Sequence, residues 1–540
     1  VDGGRSTFID FGAAEGLHFT STRDESTRCN YCTNNCLRTF IDTETPEFGH
    51  RRFIIATCEK GGVSDLDSMR TIKARIDQVK KENPNFVEIA GKDAFRAPGA
   101  EPAPEPRAPA LTRLNPVRHQ RWNKRREQAK KLRRETVIGI PRVLNMYSYG
   151  PFFSAYFQAL GIPSSNIVFS DVTSEAMWRE GSRRGSIDQC FPSKVALAHV
   201  HQLLTGMRKK PNIIFFPIFT TLLTELENVL DSCACPTVAG TPQVVKAAFT
   251  KEGDSFAQAG SRYFDPVLSF AEPELFEHQL LAFAGPALDV TESENEHAIR
   301  QGYRALDRFR SSLRDQGRAV LEELEREHRP GIVLLGRPYH NDPGLNHEIV
   351  ESLQKCGYPV FTIDSLPTNP EILDRLFGDD IARGDIRSAM DITDVWKNAY
   401  SENSSRKLWA AKYVARHPNL VALDLSSFKC GHDAPMYSVV ESIVQATDSP
   451  YFTFHDIDEN RPAGSIKIRV ETIAYFLQRH QEQLMRRAGL EDRIQDALRA
   501  YEERIRAGDP FIPNEVFAPA GESRRWDNLI PLELAMSSNG

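Results

Sequence analysis

Asn419-Leu-Val-Ala-Leu-Asp-Leu-Ser-Ser-Phe-Lys-Cys430-Gly-His-Asp-Ala-Pro435 begins as a short apolar run of strand length and ends as a polar loop. The residues that follow, Met436 to Ala446, have the spacing of a helix, so the run predicts a buried strand, a loop carrying Cys430, and a helix. In open α/β sheets this end of a strand is where ligands bind, because neighbouring loops converge there and helix N-termini direct unpaired N–H groups inward. A thiol in such a loop is placed to hold a group rather than to fill space.

Two further thiol sites have the same setting. Asn212 to Phe219 reads as a strand, with Cys233 and Cys235 downstream of it and a helix-like run from Pro242 to Thr250 beyond. Cys190 opens Cys190-Phe-Pro-Ser-Lys-Val-Ala-Leu-Ala-His-Val-His-Gln-Leu-Leu204, an amphipathic stretch whose Pro192 suits a first helical turn. N–H groups at a helix start favour the thiolate and can bond to cluster sulfides. Three loops distant in sequence could thus deliver sulfur to one crevice, and ordinary buried cysteine is the plain alternative.

Length and charge frame these motifs. A chain of 540 residues exceeds one core and suggests three or four domains, and a net charge of −6 argues against a nucleic-acid binder overall. No run of apolar residues is long enough to span a membrane, and residues 1–20 have no signal-peptide pattern. A cytoplasmic protein is expected, in which clustered cysteines indicate metal or catalysis before disulfides. Because Val1 stands where an initiating Met would, the sequence is read as a piece of something longer.

Near the start, Arg28-Cys29-Asn-Tyr-Cys32-Thr-Asn-Asn-Cys36 is answered by Cys58-Glu-Lys-Gly-Gly62, a C-x2-C-x3-C-x21-C pattern. Residues 37–42 and 51–57 read as a hairpin that returns the fourth thiol to the first three. Four thiolates so arranged can enclose one cuboidal cluster or one tetrahedral ion. The segment resembles the iron–sulfur motif of molybdopterin-dependent oxidoreductases. A [4Fe-4S] cluster on Cys29, Cys32, Cys36 and Cys58 is the expectation, with structural zinc as the alternative.

Residues 64–81 predict a helix capped by Ser64 or Asp65. Ala97 to Pro109 is a Pro/Ala-rich linker, and residues 113–134 hold ten Lys or Arg against one acid, Glu127. The basic run suits a nucleic-acid or acidic-partner patch, or a solvated helix leading into a domain, and the acidic total favours the last. From Thr136 onward, strands at 136–144, 167–170 and 213–216 alternate with helices, as do those at 331–336, 358–363 and 420–425. That alternation predicts two parallel-sheet domains of Rossmann or flavodoxin type. No glycine-rich nucleotide loop follows any of these strands. Residues 272–324 read as mostly helical with a break at Gly285-Pro286, and 293–328 as one long exposed helix. The resulting division is 1–25, a Cys-rich domain at 26–95, linker and basic helix at 96–135, a first α/β domain at 136–260, a helical connection at 261–330, a second α/β domain at 331–470 and a C-terminal helix and tail at 471–540.

Ile138-Gly-Ile-Pro-Arg-Val-Leu-Asn-Met-Tyr147, Cys190-Phe-Pro-Ser-Lys194, Gly336-Arg-Pro-Tyr-His340, Phe428-Lys-Cys-Gly-His-Asp433 and Phe454-His-Asp-Ile-Asp-Glu-Asn460 together resemble the C-terminal half of large fused acyl-CoA dehydratase activases. Those proteins are in turn similar to 2-hydroxyacyl-CoA dehydratase and benzoyl-CoA reductase subunits and to double-cubane cluster proteins. Ser193 and Ala198 depart mildly from the pattern, and the ATPase domains that usually precede this region are not in the sequence.

The resemblance implies transfer of single electrons at low potential to a cluster in a dehydratase-like scaffold, and on to an acyl-CoA or another small reducible substrate. It implies a second iron–sulfur cluster, cubane or double cubane, on Cys190, Cys430 and one or both of Cys233 and Cys235. Arg337, His340, His347 and His432, on loops at the same sheet edge, are the candidates for orienting substrate or supplying protons. Expected partners are ATP-hydrolysing activase domains or a separate activase subunit, an acyl-CoA dehydratase or CoA ester, and a second copy as a homodimer; no membrane and no nucleic acid is expected. The competing reading is a zinc-stapled adaptor with a dehydratase-like fold and no catalysis.

Overall fold

The computed structural model describes residues 17–31, 36–45, 49–56, 59–184, 189–447, 449–460 and 462–506. The chain divides after Leu477 into two units. The first unit opens with a small antiparallel sheet of β1 (His18–Thr22), β2 (Thr39–Thr45) and β3 (Gly49–Ile55), in the order β1-β2-β3. The sheet includes the expected hairpin, with Thr39 opposite Ile55, and adds β1, which the sequence pattern did not indicate.

Two helices follow. In α1 (Leu66–Glu82) Asp65 caps the first turn by accepting the Ser68 N–H. In α2 (Phe86–Asp93) one face is buried: Phe86 stacks on Phe361 with ring centroids 5.3 Å apart, and Arg142 donates to the Gly91 carbonyl. The α/β body therefore includes chain that precedes the Pro-rich stretch. That stretch has neither helix nor strand and is tied down by Ala103 N–H to Ala159 O and by a contact of His297 with Glu101 O.

After a helical turn at Ala110–Arg113, the basic run forms α3 (Pro116–Glu135). Its last turns are stapled to the body, because Arg126 and Arg133 are buried against Glu294 and Arg133 also donates to the Leu288 carbonyl.

The first α/β layer contains β4 (Ile138–Ile140), α4 (Met146–Ala159), β5 (Ile167–Phe169), α5 (Phe191–Thr205), β6 (Ile213–Phe215), β7 (Ile218–Thr221), α6 (Pro236–Thr250), β8 (Arg262–Phe264) and β9 (Val267–Ser269). Its sheet is parallel with order β5-β4-β6-β8, and β7 and β9 form a separate parallel pair. Two helices connect this layer to the next. The first, α7 (Pro273–Leu288), runs through Gly285-Pro286 and ends at Asp289, whose φ is 53°. The break therefore lies three residues later than the dipeptide suggested. The second, α8 (Glu292–Glu327), is one long helix as expected, but it is not exposed: Ala298, Leu306, Leu313, Leu321 and Leu324 are buried. An apolar face at helical spacing explains the difference.

The second layer contains β10 (Gly331–Leu335), α9 (Ile349–Lys355), β11 (Val360–Thr362), α10 (Pro370–Arg383), α11 (Glu402–Arg416), β12 (Leu420–Ser427), α12 (Tyr437–Gln445), β13 (Tyr451–Ile457) and α13 (Ala463–Arg506). Its sheet is also parallel, in the order β11-β10-β12-β13, and β12 is buried at every position. The two sheets share one doubly wound order, so the predicted α/β class with two parallel sheets and a small N-terminal hairpin sheet is what the chain adopts. A buried network couples them: Asp342 accepts from Tyr147 Oη (2.8 Å) and Thr173 Oγ1 (2.7 Å), and His199 lies between Ser170 and Thr173. In the second unit, residues 478–506 continue α13. Among the described residues, no helix is long and apolar enough to cross a membrane.

Candidate functional site

In each sheet the connections leave in opposite directions from the central pair, β4 with β6 and β10 with β12, which makes a switch point where loops part and leave a crevice. The loops after β10 and β12 carry Arg337 to His347 and Phe428 to Pro435. Cys190 is the N-cap residue of α5 and Cys235 that of α6, so each thiol sits where helix N–H groups have no intrahelical partner. In both helices a proline occupies the first turn.

Each of these thiols is buried or half-buried on its own loop. Burial raises the Cys190 thiol above its ordinary range, the neighbouring Cys235 adds to this, and Arg337 opposes it. Burial likewise raises Cys430, which feels Arg337 and Asp433. The buried Tyr339 phenol, raised first by burial, feels Cys430, Cys190 and Arg337 together. Cys233 is turned elsewhere: its Sγ lies 3.3 Å from Asp231 Oδ2, and its backbone pins residues 400–402 through Tyr400 O and Glu402 N. Cys356, at the end of α9, is exposed. Among the described residues, no three Cys, His, Asp or Glu side chains are grouped to hold a single metal ion.

Arg337 is the cation at the centre of this arrangement. Its side chain is wholly buried, donates to Asp433 Oδ1 through Nη2 (2.8 Å) and Nε (3.2 Å), and donates to Ser404 Oγ (3.0 Å). Its Nη1 has no hydrogen-bond partner among the described residues. Behind Asp433 lies a second buried cation, Lys407, 2.5 Å from Asp424 and 3.6 Å from Asp433. Burial opposes charge on Lys407, but the two carboxylates outweigh it and hold it protonated. Burial also opposes the Asp433 carboxylate, yet Arg337 and Lys407 keep it far below the usual carboxylate range. Asp424 accepts from Tyr451 Oη and lies 3.1 Å from His455 Nε2, and the His455 ring stacks on Tyr437 at 3.6 Å.

The three candidate histidines take different positions. His340 accepts the Arg337 N–H through Nδ1 (3.0 Å), and burial pushes it down to about 3, so it is neutral and braces its own loop. His347 Nε2 lies 3.0 Å from the Asp458 carbonyl, tying this loop to the one after β13. His432 faces a cavity of about 180 Å³ bounded by Trp396, Tyr400, Ser401, Ser404 and Gly431. Its Nδ1 is 3.3 Å from Ser401 Oγ, and burial together with Arg337 lowers its pKa. Of the four polar candidates, Arg337 is paired with Asp433 of the Cys430 loop, His432 lines the cavity, His340 holds its own loop, and His347 joins that loop to the one after β13.

Lys407, Asp424 and His455 were not singled out in the sequence, although an acid inside the apolar strand Leu420–Leu425 was a usable signal. At the N-terminal segment, Cys29 is buried and Cys36 half-buried, with Cys29 N–H donating to Cys36 O (2.8 Å). Cys32 and Cys58 lie outside the described residues. Residues 61–63 return to the thiol loop, where Arg38 donates to the Gly61 and Val63 carbonyls and Tyr31 Oη to Val63 O.

Residues 137–366, from the edge of β4 to just past β11, match the family described as the CoA enzyme activase uncharacterised domain. This segment is a CoA enzyme activase-like domain. The match takes in Cys190, Cys233, Cys235, Arg337, His340 and His347, whereas Cys430 and His432 lie in the chain that completes the second sheet. A comparison with curated proteins gives no match.

Proposed function

We propose that the activase-like domain and the rest of the second sheet form an iron–sulfur protein of the 2-hydroxyacyl-CoA dehydratase activase or reductase type, with a cluster held by Cys190, Cys235 and Cys430. The observation that carries this reading is the placement of these thiols on three separate loops of the two sheets, Cys190 and Cys235 each at a helix N-terminus and Cys430 buried in the loop after β12 beside the Arg337–Asp433 pair. Burial alone disfavours each of the two raised thiolates, so a group that binds thiolate is what would make the arrangement favourable. A cuboidal cluster suits thiols that are not grouped around one ion, because each iron takes its own thiolate. When bound, such a cluster supplies single electrons at low potential.

The chain's own residues have separate tasks in this reading. Arg337 supplies positive charge beside the thiolates, Asp433 and Ser404 fix its orientation, and Lys407 with Asp424 keeps the buried charges balanced. The cavity beyond Gly431 receives the acyl end of a CoA ester or another small reducible molecule. There His432 and Ser401 offer hydrogen bonds to a carbonyl, and Trp396 and Tyr400 shield it from water. At the N-terminus, Cys29, Cys32, Cys36 and Cys58 hold a [4Fe-4S] cluster that relays electrons inward. The return of residues 61–63 to the Cys29 loop supports that four-thiolate site. The electrons come from ATP-hydrolysing activase domains or a separate activase subunit.

Paramagnetic resonance of the reduced protein tests this assignment. Adding a CoA ester should change the spectrum of the wild-type protein, and His432→Ala should weaken that response without loss of iron. Zinc in place of iron at both sites would refute the proposal.

A further inference from the structure

The basic run at 106–126 has seven Lys or Arg and no acid, in a chain whose net charge is −6; subtracting +7 leaves −13 for the remainder. The structure divides these cations into two groups. Arg125 and Arg126 pair with Asp289, and Lys130 further along pairs with Glu105 and Glu127, so the C-terminal part of α3 is an internal staple. Arg107, Arg113, Arg118, Arg121 and Lys124 are exposed and form no ion pair among the described residues.

Helical spacing separates two faces. Trp122, Arg126, Ala129 and Arg133 recur three or four residues apart and form the anchored face, with the Arg126 guanidinium 5.3 Å from the Trp122 ring. Val117, Arg121 and Lys124 recur in the same way on the opposite face. Leading into that face are Leu111 and Leu114, 75% and 81% exposed, followed by Val117 at 57%. Three large apolar side chains among unpaired cations, Leu111 and Leu114 on the turn that leads into α3 and Val117 in its first turn, form a ridge that nothing in the described chain covers.

We infer that the ridge from Leu111 to Lys124 docks an acidic partner protein that presents apolar side chains between its carboxylates. Charge selects the sign of the partner: the free cations attract carboxylates, and the same cations on a second copy disfavour pairing ridge to ridge. The leucines select its class. Phosphate backbones use cations but gain nothing from exposed leucines, and an anionic membrane presents its charge as an extended plane to the negative remainder of the chain, whereas a partner protein presents carboxylates at the ridge alone. This inference is independent of the proposed cluster.

The test uses the full-length protein and four labelled probes: an amphipathic Glu/Leu peptide, polyglutamate of the same length, phosphatidylserine vesicles and a DNA duplex. The Glu/Leu peptide should bind, weaken as salt rises, and lose about tenfold in affinity with Arg121→Glu/Lys124→Glu. Leu111→Ser/Leu114→Ser should lose a similar factor while keeping the salt dependence, with circular dichroism unchanged in both variants. Failure of the peptide to bind, binding indifferent to both variants, or equal binding of polyglutamate would overturn the inference. So would vesicle or duplex binding abolished by the charge reversals.

Discussion

Replacing Asp433 with Asn tests the buried charges at the pocket by leaving shape intact and removing one carboxylate. In the native chain that carboxylate takes two hydrogen bonds from Arg337 and one from Ser426 Oγ at 2.9 Å, and it lies 3.6 Å from Lys407, with all three ionic side chains at most 1% exposed. Breaking a buried pair from one side leaves the other charge uncompensated, which costs about 3–5 kcal/mol. Lys407 retains Asp424 and Arg337 retains Ser404, so the loss should fall near the lower end, about 3 kcal/mol. The assay is urea unfolding of metal-free protein under anaerobic conditions, followed by circular dichroism and tryptophan fluorescence. Arg337→Met/Asp433→Leu removes both charges, and it should be more stable than either single variant because no buried charge is stranded between them. An Asp433→Asn protein within about 0.5 kcal/mol of wild type, or a double variant as damaged as the two singles combined, would refute this reasoning.

Three further outcomes follow from packing and protonation. His199 is pushed down to about 4 by burial against an ordinary 6.5, so the unfolded chain takes up its proton first and stability is lost as pH falls below 6.5. Between pH 7 and 5 this amounts to about 2 kcal/mol, and His199→Gln should show that much less acid destabilisation than wild type in parallel urea titrations; identical pH dependence would contradict it. Gly317 of α8 faces Ser365, whose carbonyl oxygen would lie 1.9 Å from an added Cβ, so Gly317→Ala should cost about 1–3 kcal/mol or more. Gly240 within α6 meets nothing within 4 Å, and Gly240→Ala should instead gain about 0.5–1 kcal/mol in the same melting experiment.

The parts of the fold that were legible in the sequence are those where one physical preference acts alone. Buried parallel strands such as Leu420 to Leu425 and Gly331 to Leu335 read as short apolar runs, and Pro192 marked a helix start beside a thiol. α11 went unread because nearly every side chain from Glu402 to Ala415 is buried, which erases the two-faced pattern that periodicity relies on. Three- and four-residue strands such as β7, β8 and β9 are too short to show alternation. At the site, loop position placed Cys190 and Cys430 but left Cys233 and Cys235 equivalent. Their difference is local: Cys235 directly precedes Pro236 and caps α6, whereas Cys233 bonds to Asp231. The Lys407–Asp424 pair joins residues on α11 and β12 that only tertiary packing brings to 2.5 Å, and no local spacing encodes that.

The most direct test of the central claim is the iron and acid-labile sulfide content of anaerobically purified protein, measured for wild type and for single cysteine-to-serine variants. Cys190→Ser, Cys235→Ser and Cys430→Ser should each lose the iron of the α/β site while the protein remains folded by circular dichroism, and Cys233→Ser and Cys356→Ser should retain it. Iron retained in Cys430→Ser but lost in Cys233→Ser or Cys356→Ser would contradict the assignment, as would wild-type protein that carries no iron.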